Sequence, residues 1–124
     1  MFGLLADEGV GSVPWSPLAK GRLARPYGEH TTRGDSDPVA QRFFGDGNQE
    51  IIDTVQRIAT DRGIPMAAVA LAWVLNNPVV SAPIVGATKP HHLADAAAAL
   101  DVRLTDDEIA ALEAPYVPQL PAGF

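Results

Sequence analysis

Apolar positions along this chain change period several times, and each change predicts an element. Residues 2 to 8 read as the last turns of a helix stopped by Gly9, and GSVPW at 11–15 reads as a short buried strand. From Asn48, Ile51, Val55, Ile58 and Ala59 recur at helical spacing as far as Gly63. Met66, Val69, Ala70, Trp73 and Val74 repeat the pattern up to Asn77-Pro78. VVSAPIVG at 79–86 is a second apolar run of strand length, followed by a helix marked by Leu93, Ala96, Ala97 and Leu100. In LTDDEIAAL, Thr105 and Glu108 stand three apart, the spacing of a capping box, and predict a last helix that stops before Pro115.

Two stretches lack any sustained period. Residues 16–47 hold Pro17, Gly21, Pro26, Gly28, Gly34, Pro38, Gly45 and Gly47 and read as one long loop; 116–124 read as an irregular, proline-rich tail. Loops that long usually serve a function or are disordered. Strands alternating with helices imply parallel strands joined by right-handed crossovers, and a parallel sheet must be covered on both faces. Two strands cannot supply such a sheet. The expected class is therefore α/β, and the pattern reads as the closing portion of a larger fold.

Composition narrows the partners. A hydrophobic share of 47% with 19% charged residues is that of an ordered globular chain. The net charge of −6 would repel nucleic acid over most of the surface. There is no cysteine, hence no disulfide framework, thiolate metal site or cysteine nucleophile, which fits a reducing compartment. MFGLLADEGV has no basic leading region or small-residue cleavage site, and no run approaches the roughly 20 apolar residues of a membrane span. A soluble, cytoplasmic chain without nucleic-acid or membrane partners is expected.

Two segments carry candidate chemistry. At Trp15-Ser16-Pro17 a strand would run into a turn at the carboxyl edge of a sheet, where α/β folds bind ligands; Lys20, Gly21 and Arg22 then offer cations and a close backbone approach suited to a pyrophosphate. The plain alternative is a solvated turn. In VGATKPHHL at 85–93, a strand ends at Gly86 and a helix opens near Thr88, Lys89 and Pro90. Free N–H groups, the helix dipole and a lysine there suit an anion, although ordinary capping explains the same residues. His91 and His92 point about 100° apart on a helix and lack a third ligand, which argues against a metal. The Arg33-Gly34-Asp35 tripeptide is read as chance, Trp73 as core, and Asp106, Asp107 and Glu108 as acids favoured by a helix start.

Taken together and in order, WSPLAKGRL and PIVGATKPHHLADA resemble the C-terminal part of the aldo/keto reductases, from about Gly9 to Pro118, with LTDDEIAALEAP in its usual place. The resemblance implies a partial (β/α)8 TIM barrel: 11–15 and 81–86 as the seventh and eighth strands, the last two β/α units, and 16–47 as a flap over the cofactor. It implies NADP(H), with Ser16, Pro17, Leu18, Gly21 and Arg22 against the pyrophosphate and Gly86, Ala87, Thr88 and Lys89 around the 2′-phosphate. Where the family commonly has Gln and a Glu-Asn pair near the adenine, this chain has His92, Asp95 and Ala96.

None of the family's Asp, Tyr, Lys, His tetrad maps onto these residues, and Tyr27 and Tyr116 are given no catalytic role. The resemblance thus implies a single segment, 1–124, that reduces aldehydes or ketones by hydride transfer only when the barrel is complete, through a complementing N-terminal portion. The other reading is a catalytically silent nucleotide-binding or assembly module, self-associating through open strand edges. A small autonomous α/β domain would need some other element to cover its two strands.

Overall fold

The computed structural model describes residues 1–29 and 48–118. The predicted flap beyond Glu29 and the end of the predicted tail lie outside the described residues. Helix α1 spans Phe2–Asp7, and a 3₁₀ segment spans Ala19–Ala24. Four further elements are α2 (Gln49–Arg62), α3 (Met66–Leu75), α4 (Pro90–Ala98) and α5 (Asp106–Glu113), with a 3₁₀ turn at Ala99–Asp101. No single helix among them is long and apolar enough to cross a membrane.

Local chemistry sets the ends. Gly63, one residue past α2, and Gly9, two past α1, both adopt φ of +64°, a conformation that costs glycine nothing sterically. The Ile64 N–H then reaches back to the Ala59 carbonyl at 3.0 Å, closing α2. At α5 the Glu108 N–H donates to Thr105 Oγ1 (3.2 Å) while the Thr105 N–H donates to Glu108 Oε2 (2.7 Å), so the capping box forms in both directions.

Between α2 and α3 the chain bends by 106°, and α3 becomes the centre of the molecule. One side of it places Val69 among Val55, Ile58, Ala59 and Leu112; the other places Ala68 and Leu71 against Ala99. The loop after Trp15 is tied to both clusters, Leu18 packing on the second and Leu23 on the first, while Val85 joins Leu18 on the second. The ends of the two predicted strands are thereby held over one helix.

The expected strands differ in form. Segments 11–15 and 79–86 do run parallel, but only through isolated bridges, Ser12 to Val80 and Trp15 to Ile84; no extended ladder occurs among the described residues. Pro14 and Pro83 lack the N–H a ladder needs, and the register shifts by one residue between the bridges. Nor are these segments buried, since Val13, Trp15 and Ile84 are each more than half exposed.

Three predicted faces are also corrected. Trp73 is 43% exposed rather than core, because α3 is apolar nearly all round and its period does not select a face. The Trp73 indole N–H finds Glu113 Oε1 at 3.1 Å. On α4 and the 3₁₀ turn after it, the small Ala96 and Ala99 sides allow close approach to α3, which turns Leu93 and Leu100 outward. On α2 it is Ile52, not Ile51, that is buried.

Candidate functional site

After Trp15 the backbone takes an unusual path. Ser16, Ala19, Lys20 and Gly21 have φ of +49°, +47°, +56° and +91°, three of them residues with side chains. Left-handed geometry at a non-glycine residue costs on the order of 1 kcal/mol or more and persists only where surroundings enforce it. Here the enforcement is visible: the Ala19 N–H donates to the Ser16 carbonyl (2.9 Å), the Gly21 N–H to the Leu18 carbonyl (2.8 Å), and Leu18 is anchored in the core. A tight, internally bonded rim results.

This rim faces the start of α4 across an open cleft of about 630 Å³. Its floor is Pro65, Ala67 and Leu71, from α3 and the turn before it. Of the residues singled out by sequence, the cleft gathers Ser16, Pro17, Leu18, Lys20, Gly21, Gly86, Ala87, Thr88, His92, Asp95 and Ala96. Arg22 and Lys89 are not part of its lining. Lys89 is exposed, with its backbone extended at the helix boundary (φ −137°), and Pro90 follows at the first helical position.

Three side chains on the wall have a different standing. Lys20 was a general candidate cation, whereas Arg25 and His91 carried no ligand assignment. Arg25 follows the 3₁₀ segment with an extended backbone, φ −152° and ψ 159°, a direction that no sequence period announces in this loop. With Lys20, Arg25, His91 and His92 facing it and Asp95 the sole lining carboxylate among the described residues, the cleft gathers basic groups on a chain of net charge −6. The Thr88 N–H donates to His92 Nδ1 at 3.4 Å, and the two histidine rings meet edge to face with centroids 4.5 Å apart. Nδ1 as acceptor leaves Nε2 to carry the proton of the neutral ring.

Such a lining fits a dinucleotide: cations and a hydrogen-bonding turn for phosphates, apolar floor and walls for sugar and base faces. Tyr27 and Tyr116 are not among its residues, and among the described residues no three His, Asp or Glu side chains converge as for a metal ion.

Basic rim, helix start and paired parallel segments meet at one end of an α/β arrangement. The chain belongs to the aldo/keto reductase family, whose model matches residues 1–116. It is 43% identical over 125 residues to versiconal hemiacetal acetate reductase of Aspergillus parasiticus, covering 96% of this chain and 36% of that protein. To a putative aryl-alcohol dehydrogenase of Saccharomyces cerevisiae it is 40% identical, covering 89% and 33%. A thermostable aldo-keto reductase crystallised with the inhibitor epalrestat superposes with a TM-score of 0.64 at 22% identity, covering 93% of this chain and 33% of that one. The chain thus spans about a third of the length of the proteins it matches, and its fold corresponds to part of an aldo-keto reductase barrel.

Proposed function

We propose that this chain is the NADP(H)-binding part of an aldo/keto reductase, formed by the last two β/α units of the barrel, and that the complete barrel reduces aldehydes or ketones. The observation that supports this best is the cleft itself, which joins the Ser16–Gly21 rim to Gly86–Thr88 and the start of α4 although some seventy residues separate them in sequence.

Bound there, NADPH would supply the hydride that reaches the carbonyl carbon, while a proton completes the alcohol at oxygen. The residues of this chain bind and orient: the rim and its cations hold phosphate, Gly86 and Ala87 leave room for close approach, and His92 and Asp95 offer hydrogen bonds at the far end. Among the described residues no tyrosine lines the cleft, and on this reading the proton comes from groups elsewhere in the complete barrel.

Exposed apolar side chains fit both readings. Val13, Trp15 and Ile84 on the bridged segments, Leu93 on α4 and Leu100 in the turn after it suit cover by further protein, either a complementing barrel portion or a second copy. Titrating NADPH into the 124-residue chain while following its fluorescence, with gel filtration alongside, separates the readings. Saturable binding is expected. Its absence in a folded chain overturns the cofactor-binding proposal and leaves an assembly module.

A further inference from the structure

Helices α4 and α5 begin with different acceptors in the same helical position. At α5 the third helical residue, Glu108, reaches back to the Thr105 N–H, closing the capping box with a carboxylate whose pKa lies at about 2. At α4 the boundary residue is Lys89, whose side chain makes no capping hydrogen bond, and no acid lies in the first turn. The third helical residue is His92, half-buried, and its Nδ1 accepts the Thr88 N–H at 3.4 Å. An imidazole thus ties back the start of α4 as a carboxylate ties back the start of α5.

The two acceptors respond differently to acid. An imidazole accepts at Nδ1 only while neutral, and the proton it gains between about pH 5 and 8 occupies that lone pair, so that donor would face donor at Thr88. The same proton puts a positive charge into the first turn, where the helix dipole is already positive.

The groups around His92 do not offset this. On α4 and at its boundary stand His91, whose ring meets that of His92 edge to face at 4.5 Å, and Lys89. The rim brings Lys20 and Arg25 to the facing side of the cleft, and α3, packed against α4, carries no titratable residue. Asp95 is the one lining carboxylate among the described residues, and Asp101 belongs to the 3₁₀ turn beyond the far end of α4. Asp95 lies one turn further along α4, so its attraction for a charged ring pulls away from Thr88. The segment before the helix has room to move, since nothing lies within 4 Å of a Cβ placed on Gly86.

We propose that His92 is a proton-operated latch on the α4 wall of the cleft: neutral, it ties Thr88 to the helix start, and protonated, it releases the segment from Gly86 to Lys89. Gly86, Ala87 and Thr88 line the cleft, so the shape of that wall follows pH. His92 acts here as a positioning residue, in the free chain and without any cofactor.

The test is nuclear magnetic resonance of the isotope-labelled full chain from about pH 8 to pH 5, the range in which histidine titrates. The neutral His92 ring should be the Nε2–H tautomer, and the Thr88 amide resonance should move with the midpoint of the His92 ring. Exchange of the Thr88 amide, corrected for its intrinsic pH dependence, should be about two- to tenfold faster at the acid end, the worth of one hydrogen bond. His92→Asn, which offers an amide oxygen that does not titrate, should hold Thr88 at its neutral position throughout. His92→Phe, a ring without an acceptor, should leave it at the acid position throughout, and His91→Asn should leave the pH step in place.

An Nδ1–H tautomer in the neutral parent chain overturns the proposal, and so does a Thr88 amide that does not titrate or that follows His91. A pH step at Thr88 that survives in His92→Phe overturns it as well. Should a variant fail to fold, the tautomer and the shared midpoint in the parent chain decide the matter. No measurement uses NADPH, so this outcome is separate from that of the cofactor-binding reading.

Discussion

Glu108 closes two structures at once, and replacing it by glutamine separates them. Its carboxylate accepts from Arg62 Nε and Nη2, both at 2.5 Å, joining α5 to α2, and also from the Thr105 N–H. The Arg62 hydrogen bonds, followed by the bond from the Thr105 backbone, hold the Glu108 pKa at about 2, against 4.5 for an unperturbed glutamate. Taken whole, that difference corresponds to about 3 kcal/mol. About a fifth of the side chain remains in water, and screening brings the expected contribution to roughly 1 to 1.5 kcal/mol.

Glutamine preserves the capping geometry, so Glu108→Gln reports on the ion pair alone. The sign follows from the lowered pKa. Above the unfolded value of 4.5 both states are ionised and the stabilisation is fully present; as pH falls the unfolded chain takes up its proton first, and the advantage is gone below the folded value of about 2. Urea unfolding of both proteins, followed by far-UV circular dichroism, should show a gap at about pH 7 that loses more than half its size by about pH 3. Equal midpoints at neutral pH would refute the reasoning, and so would a gap that acid leaves unchanged.

Three further outcomes are expected. Gly63→Ala places a Cβ on a residue at φ +64° with open space around it, so the cost is backbone strain alone, about 1 kcal/mol in urea unfolding. Leu71→Ala, at a position 1% exposed, should cost about 2–4 kcal/mol by calorimetry and weaken NADPH binding as well, because the same side chain floors the cleft. Trp73→Phe should cost about 1 kcal/mol or less, the worth of an exposed hydrogen bond to Glu113, whereas a loss of about 3 kcal/mol or more would restore Trp73 to the core.

What the sequence determined by itself was local. Gly9 and Gly63 announce their helix ends because a left-handed stop has a near-unique residue preference, and Thr105 with Glu108 announces α5 because the capping box closes within four residues. The resemblance of WSPLAKGRL and GATKPHHL pointed to one shared site, and the family match over residues 1–116 agrees with its source. Tertiary structure alone decided which side chains face the cleft and which face water. α3 is apolar on every side, so only its neighbours determine that Val69 and Leu71 turn inward and Trp73 turns out. In the rim, four departures to positive φ within six residues erase any side-chain period, so that Arg25 rather than Arg22 lines the cleft emerged only once Leu18 and Leu23 were pinned to different core clusters. Periodicity tells which face of a regular element is buried; where the backbone is irregular, the direction of a side chain is set by contacts distant in sequence.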